Sequence, residues 1–116
     1  MKRNALEMSL LLDYYGELLT EKQRTCFDLY YNQDFSLGEI AEQEGISRQG
    51  VHDAINRAES ILQQMEKTTG CVERMQDLRS TMDEIRTAAQ DLLQHQDIQV
   101  RQTARRILSA VSSVKE

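Results

Sequence analysis

The chain has 116 residues, 40% of them apolar but only 5% aromatic, and sets 19 acidic side chains against 14 Lys and Arg for a formal net charge of −5. That length fits one domain, or a small domain with an appendage, whose core is built from Leu, Ile, Val, Met and Ala, a palette suited to helix-on-helix packing. The acidic balance excludes a nucleic-acid binder that works by bulk positive charge, and the absence of proline leaves long helices uninterrupted, so an all-α fold is expected.

Asn4 followed by Glu7 has the spacing of a helix cap. Leu11, Tyr14, Tyr15 and Leu18 fall on one face of the helix it starts, which is expected to run to about Leu19. The Lys2-Arg3 start and the leucines after it mimic a signal peptide. Glu7 and Asp13 interrupt the apolar run, however, and no small-residue cleavage site follows, so membrane insertion is not expected. Thr20 with Gln23 is a capping box for a second helix ending near Asn32, with Cys26, Phe27, Leu29, Tyr30 and Tyr31 on its apolar side. Asn32, Gln33 and Asp34 then form a turn, and Phe35 is a hydrophobic lead-in to the next cap.

Residues 36–57, SLGEIAEQEGISRQGVHDAINR, are the most informative stretch. Ser36 and Glu39 make another capping box, so a short helix begins at Leu37, with Ile40 and Ala41 turned inward. Gly45 supplies the left-handed conformation that ends it, Ile46 plugs the corner, and Ser47 caps a second helix whose inner face is Val51, Ala54 and Ile55. This is the spacing of a helix-turn-helix, although an ordinary pair of short helices joined by a glycine turn satisfies it too. Arg48, Gln49, His52, Asp53, Asn56 and Arg57 are left outward, all able to hydrogen-bond a base edge or a phosphate. The alternative for Arg48 and Gln49 is a pair of solvated first-turn residues. The helix can continue through Ile61, Leu62 and Met65 to about Thr68, and Gly70 permits either a kink or a break.

From Cys71 the apolar positions Cys71, Met75, Leu78, Met82, Ile85, Ala89 and Leu92 alternate steps of four and three, a heptad seam. A helix over 71–94 would span roughly 36 Å. Asp97 is the N-cap of a last helix with Val100, Ala104, Ile107 or Leu108, Val111 and Val114 on its apolar side. The expected architecture is a helix-turn-helix domain over 1–69 and a C-terminal pair of long helices over 70–116, an antiparallel hairpin or part of a bundle that joins two subunits into a homodimer. The Met75 and Met82 seam reads as packing and not as a cofactor pocket.

Neither cysteine, Cys26 or Cys71, has a partner at ligand spacing, and His52 and His95 lie far apart, so neither a disulfide framework nor a metal site is expected, and a reduced, cytoplasmic chain is the economical reading. No glycine-rich phosphate loop or nucleophile-base spacing stands out, so no enzyme and no cofactor is expected. Charge is unevenly distributed: residues 1–45 carry nine acidic and four basic side chains, 46–70 three of each, and 71–116 seven of each.

Residues 20–62 resemble region four of bacterial sigma factors, in which a helix opening with Thr-x-x-Gln or Thr-x-x-Glu precedes Glu-Ile-Ala-x-x-x-Gly-Ile-Ser; here these are Thr20, Gln23, Glu39-Ile40-Ala41 and Gly45-Ile46-Ser47. The whole chain is similar to the YlxM family of small helix-turn-helix proteins, through LLDYYGELLTEKQR, SRQGV and the long helical tail. The resemblance implies a sigma-region-four-like helical bundle and a cytoplasmic bacterial protein whose gene neighbours that of the signal recognition particle GTPase. It also implies a role as regulator or accessory of that targeting pathway. One departure is Glu44, where sigma-like motifs carry an apolar residue; its carboxylate must reach solvent or a partner. Two functions follow as expectations. In the first the chain binds DNA, with Arg48, Gln49, His52 and Asn56 reading bases while Ser47, Arg57, Lys22 and Arg24 hold phosphates. In the second it is an adaptor for signal recognition particle protein or RNA, docking through its acidic first half.

Overall fold

A computed structural model describes residues 4–114, and the Lys2-Arg3 start lies outside them. The described residues form six α-helices: α1 (Ala5–Tyr15), α2 (Glu21–Tyr31), α3 (Leu37–Glu44), α4 (Arg48–Thr69), α5 (Cys71–Leu92) and α6 (Ile98–Ser112). A single 3-10 turn, Gly16–Leu18, follows α1. The fold is all-α, and it divides into two compact units whose boundary falls between Val72 and Glu73.

Each helix of the first unit starts where a side chain can satisfy an orphan backbone N–H. Asn4 accepts from the Glu7 N–H at 3.1 Å, and Thr20 and Gln23 cap each other reciprocally at 3.2 and 3.0 Å. The end of α1 differs from the expectation. The α-helix stops at Tyr15 and continues as the 3-10 turn to Leu18, because Gly16 is a weak α-helix former and its carbonyl accepts the Leu19 N–H at 3.1 Å, with Arg24 Nε and Nη2 also donating to it at 3.1 and 2.8 Å. With the helix shortened, its inner face is Met8, Leu11 and Tyr15, while Tyr14 and Leu18, expected inward, are exposed at 39% and 51%. The α2–α3 turn falls where expected. Asp34 there takes a left-handed conformation, φ 59°, which a short polar side chain tolerates, and the Phe35 N–H closes the turn on Leu29 O at 2.9 Å.

The core of this unit is organised on α4, against which α1, α2 and α3 all pack. Its inner stripe, Val51, Ala54, Ile55, Ala58 and Leu62, is buried together with Met8, Leu11, Cys26, Phe27, Leu29, Tyr31 and Ile40. Phe27 and Tyr31 stack tilted at 4.7 Å between centroids. Among the described residues the charged group buried with them is Glu59, whose carboxylate accepts the Tyr31 hydroxyl at 2.5 Å. Burial pushes the Cys26 thiol up, so it stays neutral as a small apolar filler. Glu44 is exposed, its carboxylate reaching solvent.

Gly70 breaks the chain into two helices, with φ +64° closing α4. The joint is tied to α1: the Glu66 carboxylate accepts both the Tyr15 hydroxyl, at 2.7 Å, and the Val72 N–H, at 3.0 Å, and the Tyr15 hydroxyl also meets Thr69 Oγ1 at 2.6 Å. The first two N–H groups of α5 are thus received by the end of α4, Cys71 N–H by Thr69 Oγ1 at 3.2 Å and Val72 N–H by Glu66.

In the second unit the expected seam is only partly buried. Met82, Ala89 and, on α6, Ala104 are buried, whereas Leu78, Ile85 and Leu92 are exposed at 48%, 44% and 40%. Cys71 is exposed as well, and Val114 lies beyond the end of α6 and faces solvent. The heptad therefore splits into an inner column and an outer one seven residues apart. Asp97 caps α6 as expected, accepting from the Gln99 N–H at 2.8 Å, and Arg101 Nη1 closes the preceding turn on the His95 and Gln96 carbonyls at 2.9 and 2.8 Å.

Gly45 sits at φ +67° with no atom within 4 Å of the space a Cβ would occupy, so Gly45→Ala meets no clash and isolates the backbone penalty. It is expected to lower stability by about 1–2 kcal/mol, read by urea unfolding, and Gly45→Asn to lose less.

Candidate nucleic-acid interface

The corner between α3 and α4 is built almost wholly from backbone and hydroxyl hydrogen bonds. Ser36 N–H donates to Glu39 Oε1 at 2.9 Å and Glu39 N–H to Ser36 Oγ at 3.1 Å, which starts α3. At its other end the N–H groups of Gly45 and Ile46 both converge on Ala41 O, the latter at 3.1 Å, and Ile46 packs against the core. Ser47 Oγ then accepts the Gly50 N–H at 2.9 Å. Gly50 has its own reason: a Cβ there would stand 3.1 Å from Ser47 Oγ and 3.8 Å from Ile46 Cδ1, so the missing side chain makes room for the cap. These bonds fix the direction in which α4 leaves the corner.

That direction turns Arg48, Gln49, His52, Asp53, Asn56 and Arg57 outward, and all six are exposed. The first ten residues of α4 are about 15 Å long, comparable to the roughly 12 Å width of a DNA major groove. The face is loosely ordered by its own i,i+4 pairs. Gln49 Nε2 donates to Asp53 Oδ1 at 2.9 Å, and Asn56 Nδ2 lies 3.3 Å from His52 Nδ1. His52 Nδ1 is 3.8 Å from Asp53 Oδ1. Exposed pairs of this kind contribute only a few tenths of a kcal/mol, so a base edge or phosphate can replace them at little cost.

Two shallow concavities border the face. Leu37, Arg48, Gln49 and His52 line one, at the front of the corner; Gln23, Asn56, Arg57, Ser60 and Ile61 line the other, where α2 meets α4. Gln23 and Leu37 are expected from sequence only as helix-start residues, and Ser60 is not expected at this surface. Ser60 follows Asn56 by four and was legible from helical spacing, whereas Gln23 comes to this surface only because α2 packs on α4. Of the two basic residues expected from α2, Lys22 is exposed, and Arg24 has two of its donors committed to Gly16 O. Ser47 spends its oxygen as a cap but keeps a hydroxyl proton to donate, at a helix N-terminus whose dipole favours an anion.

Among the described residues no group of three or more His, Cys, Asp and Glu could hold a metal ion, and no helix is long and apolar enough to cross a membrane.

A family model described as "Putative helix-turn-helix protein, YlxM / p13 like" (UPF0122) matches residues 2–102, from before α1 into α6. A UPF0122 protein of Thermoanaerobacter sp. (strain X514) is 50% identical over 86 residues, 74% of each chain. One from Caldanaerobacter subterraneus subsp. tengcongensis is 48% identical over 86 residues, again 74% of each. One from Clostridium kluyveri is 51% identical over 73 residues, 63% of this chain and 66% of that one.

The Ser36 backbone N–H, and after it the Ser36 hydroxyl, hold the Glu39 carboxyl below the usual carboxylate range. Unfolded chain therefore takes up this proton at higher pH than folded chain, so the contribution of Glu39 is complete above the unfolded value and is lost as pH falls through the depressed folded one. Glu39→Ala is expected to be less stable than the parent chain at about pH 7 and to approach it at about pH 2.5, in denaturant titrations at the two pH values.

Proposed function

This chain belongs to the UPF0122 family of YlxM/p13-like helix-turn-helix proteins, and we propose that it acts as a homodimeric DNA-binding regulator with the front of α4 in the major groove. The observation that carries the reading is the six-residue polar face of Arg48, Gln49, His52, Asp53, Asn56 and Arg57, held outward by a corner in which Gly45, Ile46, Ser47 and Gly50 each have a defined structural task. Arg48 and Gln49, at the front of the helix, suit bidentate contacts to guanine and adenine, and His52 and Asn56 reach the next base pairs. Ser47, Arg57 and Lys22 hold phosphates, joined by whatever donor capacity Arg24 retains beyond Gly16.

The charge distribution sets the energetics. Residues 46–70 carry three basic and three acidic side chains, so few phosphates are neutralised, and two or three cationic contacts per copy, four to six in the dimer, give a slope of log K against log salt of only about −4 to −5. Specificity then rests on base edges more than on backbone attraction.

A second reading is favoured by a different observation, the nine acidic against four basic side chains of residues 1–45. There the same fold is an adaptor that docks on signal recognition particle protein or RNA, the pathway to which the YlxM resemblance points.

Both readings meet one experiment: crosslinking and affinity recovery of the tagged chain from cells, sequencing DNA and RNA together, beside an Arg48→Ala, Gln49→Ala variant. Discrete DNA sites are expected, with the variant losing at least about thirtyfold in affinity for them, two bidentate pairs being worth about 1–3 kcal/mol each. DNA affinity unchanged in the variant would overturn the first reading, and recovery of signal recognition particle RNA or protein in place of DNA sites would establish the second.

A further inference from the structure

The second unit presents two unlike helices. On α5 the exposed column Leu78, Ile85 and Leu92 is joined by exposed Thr81 and Ala88 into a stripe with steps of three, four, three and four, a heptad seam separate from the buried Met82 and Ala89. Along one flank of the stripe runs an acidic row at the same seven-residue interval: Asp77, Glu84 and Asp91, all exposed. The other helix has the opposite character. Between Ile98 and Ser112, α6 carries Arg101, Arg105 and Arg106 and no acidic residue. Arg101 is taken up by the preceding turn, while Arg105 and Arg106 are exposed. Beside them Thr103, Arg106, Ile107, Ala110 and Ser113 line a shallow groove whose small side chains admit a close helix approach. The threonines on both surfaces turn their hydroxyls back on their own helices, Thr81 to Asp77 O and Thr103 to Gln99 O, each at 3.0 Å, which leaves methyl groups facing out.

We infer that the second unit is a self-association surface in which the exposed stripe of α5 lies in the α6 groove of a second copy, with the acidic row, centred on Glu84, alongside Arg105 and Arg106 of that copy. This rests on the homodimer reading given above and specifies its interface. A second copy is the occupant that the charges select. Setting α5 against α5 antiparallel would bring acidic row to acidic row, and the arginines that α5 itself carries are already engaged, Arg86 with Asp83 at 2.6 Å and Arg74 and Arg79 with other partners, whereas α6 supplies Arg105 and Arg106 beside its groove. A two-fold axis then makes both contacts at once, α5 to α6 and α6 to α5, and closes the assembly. The overlap is limited by the shorter helix, about 22 Å, so at a contact width of about 10 Å the two symmetric contacts bury on the order of 900 Å² in total, just under the roughly 1,000 Å² of a specific interface, and the charge pairs must add to it.

The test is the mass of the full chain by light scattering at micromolar concentration, with helix content checked by circular dichroism. The parent chain is expected at twice the monomer mass. Arg105→Glu with Arg106→Glu, and separately Asp77→Arg, Glu84→Arg and Asp91→Arg, are each expected to be monomeric, because each sets like charges against like. Mixing the two variants is expected to restore dimers, since each then supplies the charge the other needs. A monomeric parent chain would overturn the homodimer and this interface together. A dimeric parent whose Arg105→Glu, Arg106→Glu variant stays dimeric, or whose two variants fail to pair on mixing, would overturn the interface and leave the homodimer standing. Neither outcome touches DNA affinity, which is tested at Arg48 and Gln49.

Discussion

The constraint on which the first unit depends is the burial of one stripe along α4. Val51, Ala54, Ile55, Ala58 and Leu62 are the apolar residues that α1, α2 and α3 share, and their spacing fixes the rotation of the helix about its own axis. Turning α4 by one residue, about 100°, would expose Val51 and drive Arg48 or His52 towards the core. The outer face therefore needs no interactions of its own to be oriented. The same stripe explains why a charged residue is tolerated beneath it: Glu59 is held by the Tyr31 hydroxyl from α2, so a buried carboxylate becomes a tie between the two helices that pack most closely.

Hydrogen bonds, more than charge, shape the candidate interface. Serine caps, a left-handed glycine and a glycine that clears space for a cap position the front of α4, and the side chains displayed there set Gln49, His52 and Asn56 beside the charged Arg48, Asp53 and Arg57. One carboxylate, Asp53, stands among them, bonded to Gln49 and close to His52. Such a surface attracts polyanions weakly over long range and discriminates at contact, the reverse of a basic patch. In the second unit the charged residues of α6 are all arginines, whereas α5 mixes five acids with three arginines, one of which, Arg86, pairs with Asp83 within the helix.

The joint between α4 and α5 shows how local and tertiary terms cooperate. Gly70 ends α4 for a local reason, its positive φ. What begins α5 is only partly local, since Thr69 receives the Cys71 N–H while the Glu66 carboxylate that receives the Val72 N–H is itself steadied by Tyr15 of α1. Burial pushes the Tyr15 phenol up, so it stays a neutral donor to that carboxylate.

The sequence by itself determined the helix starts, the helix-turn-helix corner and the polar outer face of α4, because capping boxes, a left-handed glycine and the 3.6-residue period act within a few residues of one another. Ser36, Gly45, Ser47 and Asp97 hold the positions their spacing indicates. Only the tertiary structure decided that Arg24 reaches back eight residues to brace the Gly16 carbonyl, and which members of the Cys71–Leu92 seam are buried, because periodicity marks a stripe without saying what covers it. It also decided that Gln23 borders the α4 face and that one arginine of α2 is spent on a turn. Those outcomes depend on packing between segments distant in the chain, which no local pattern of residues records.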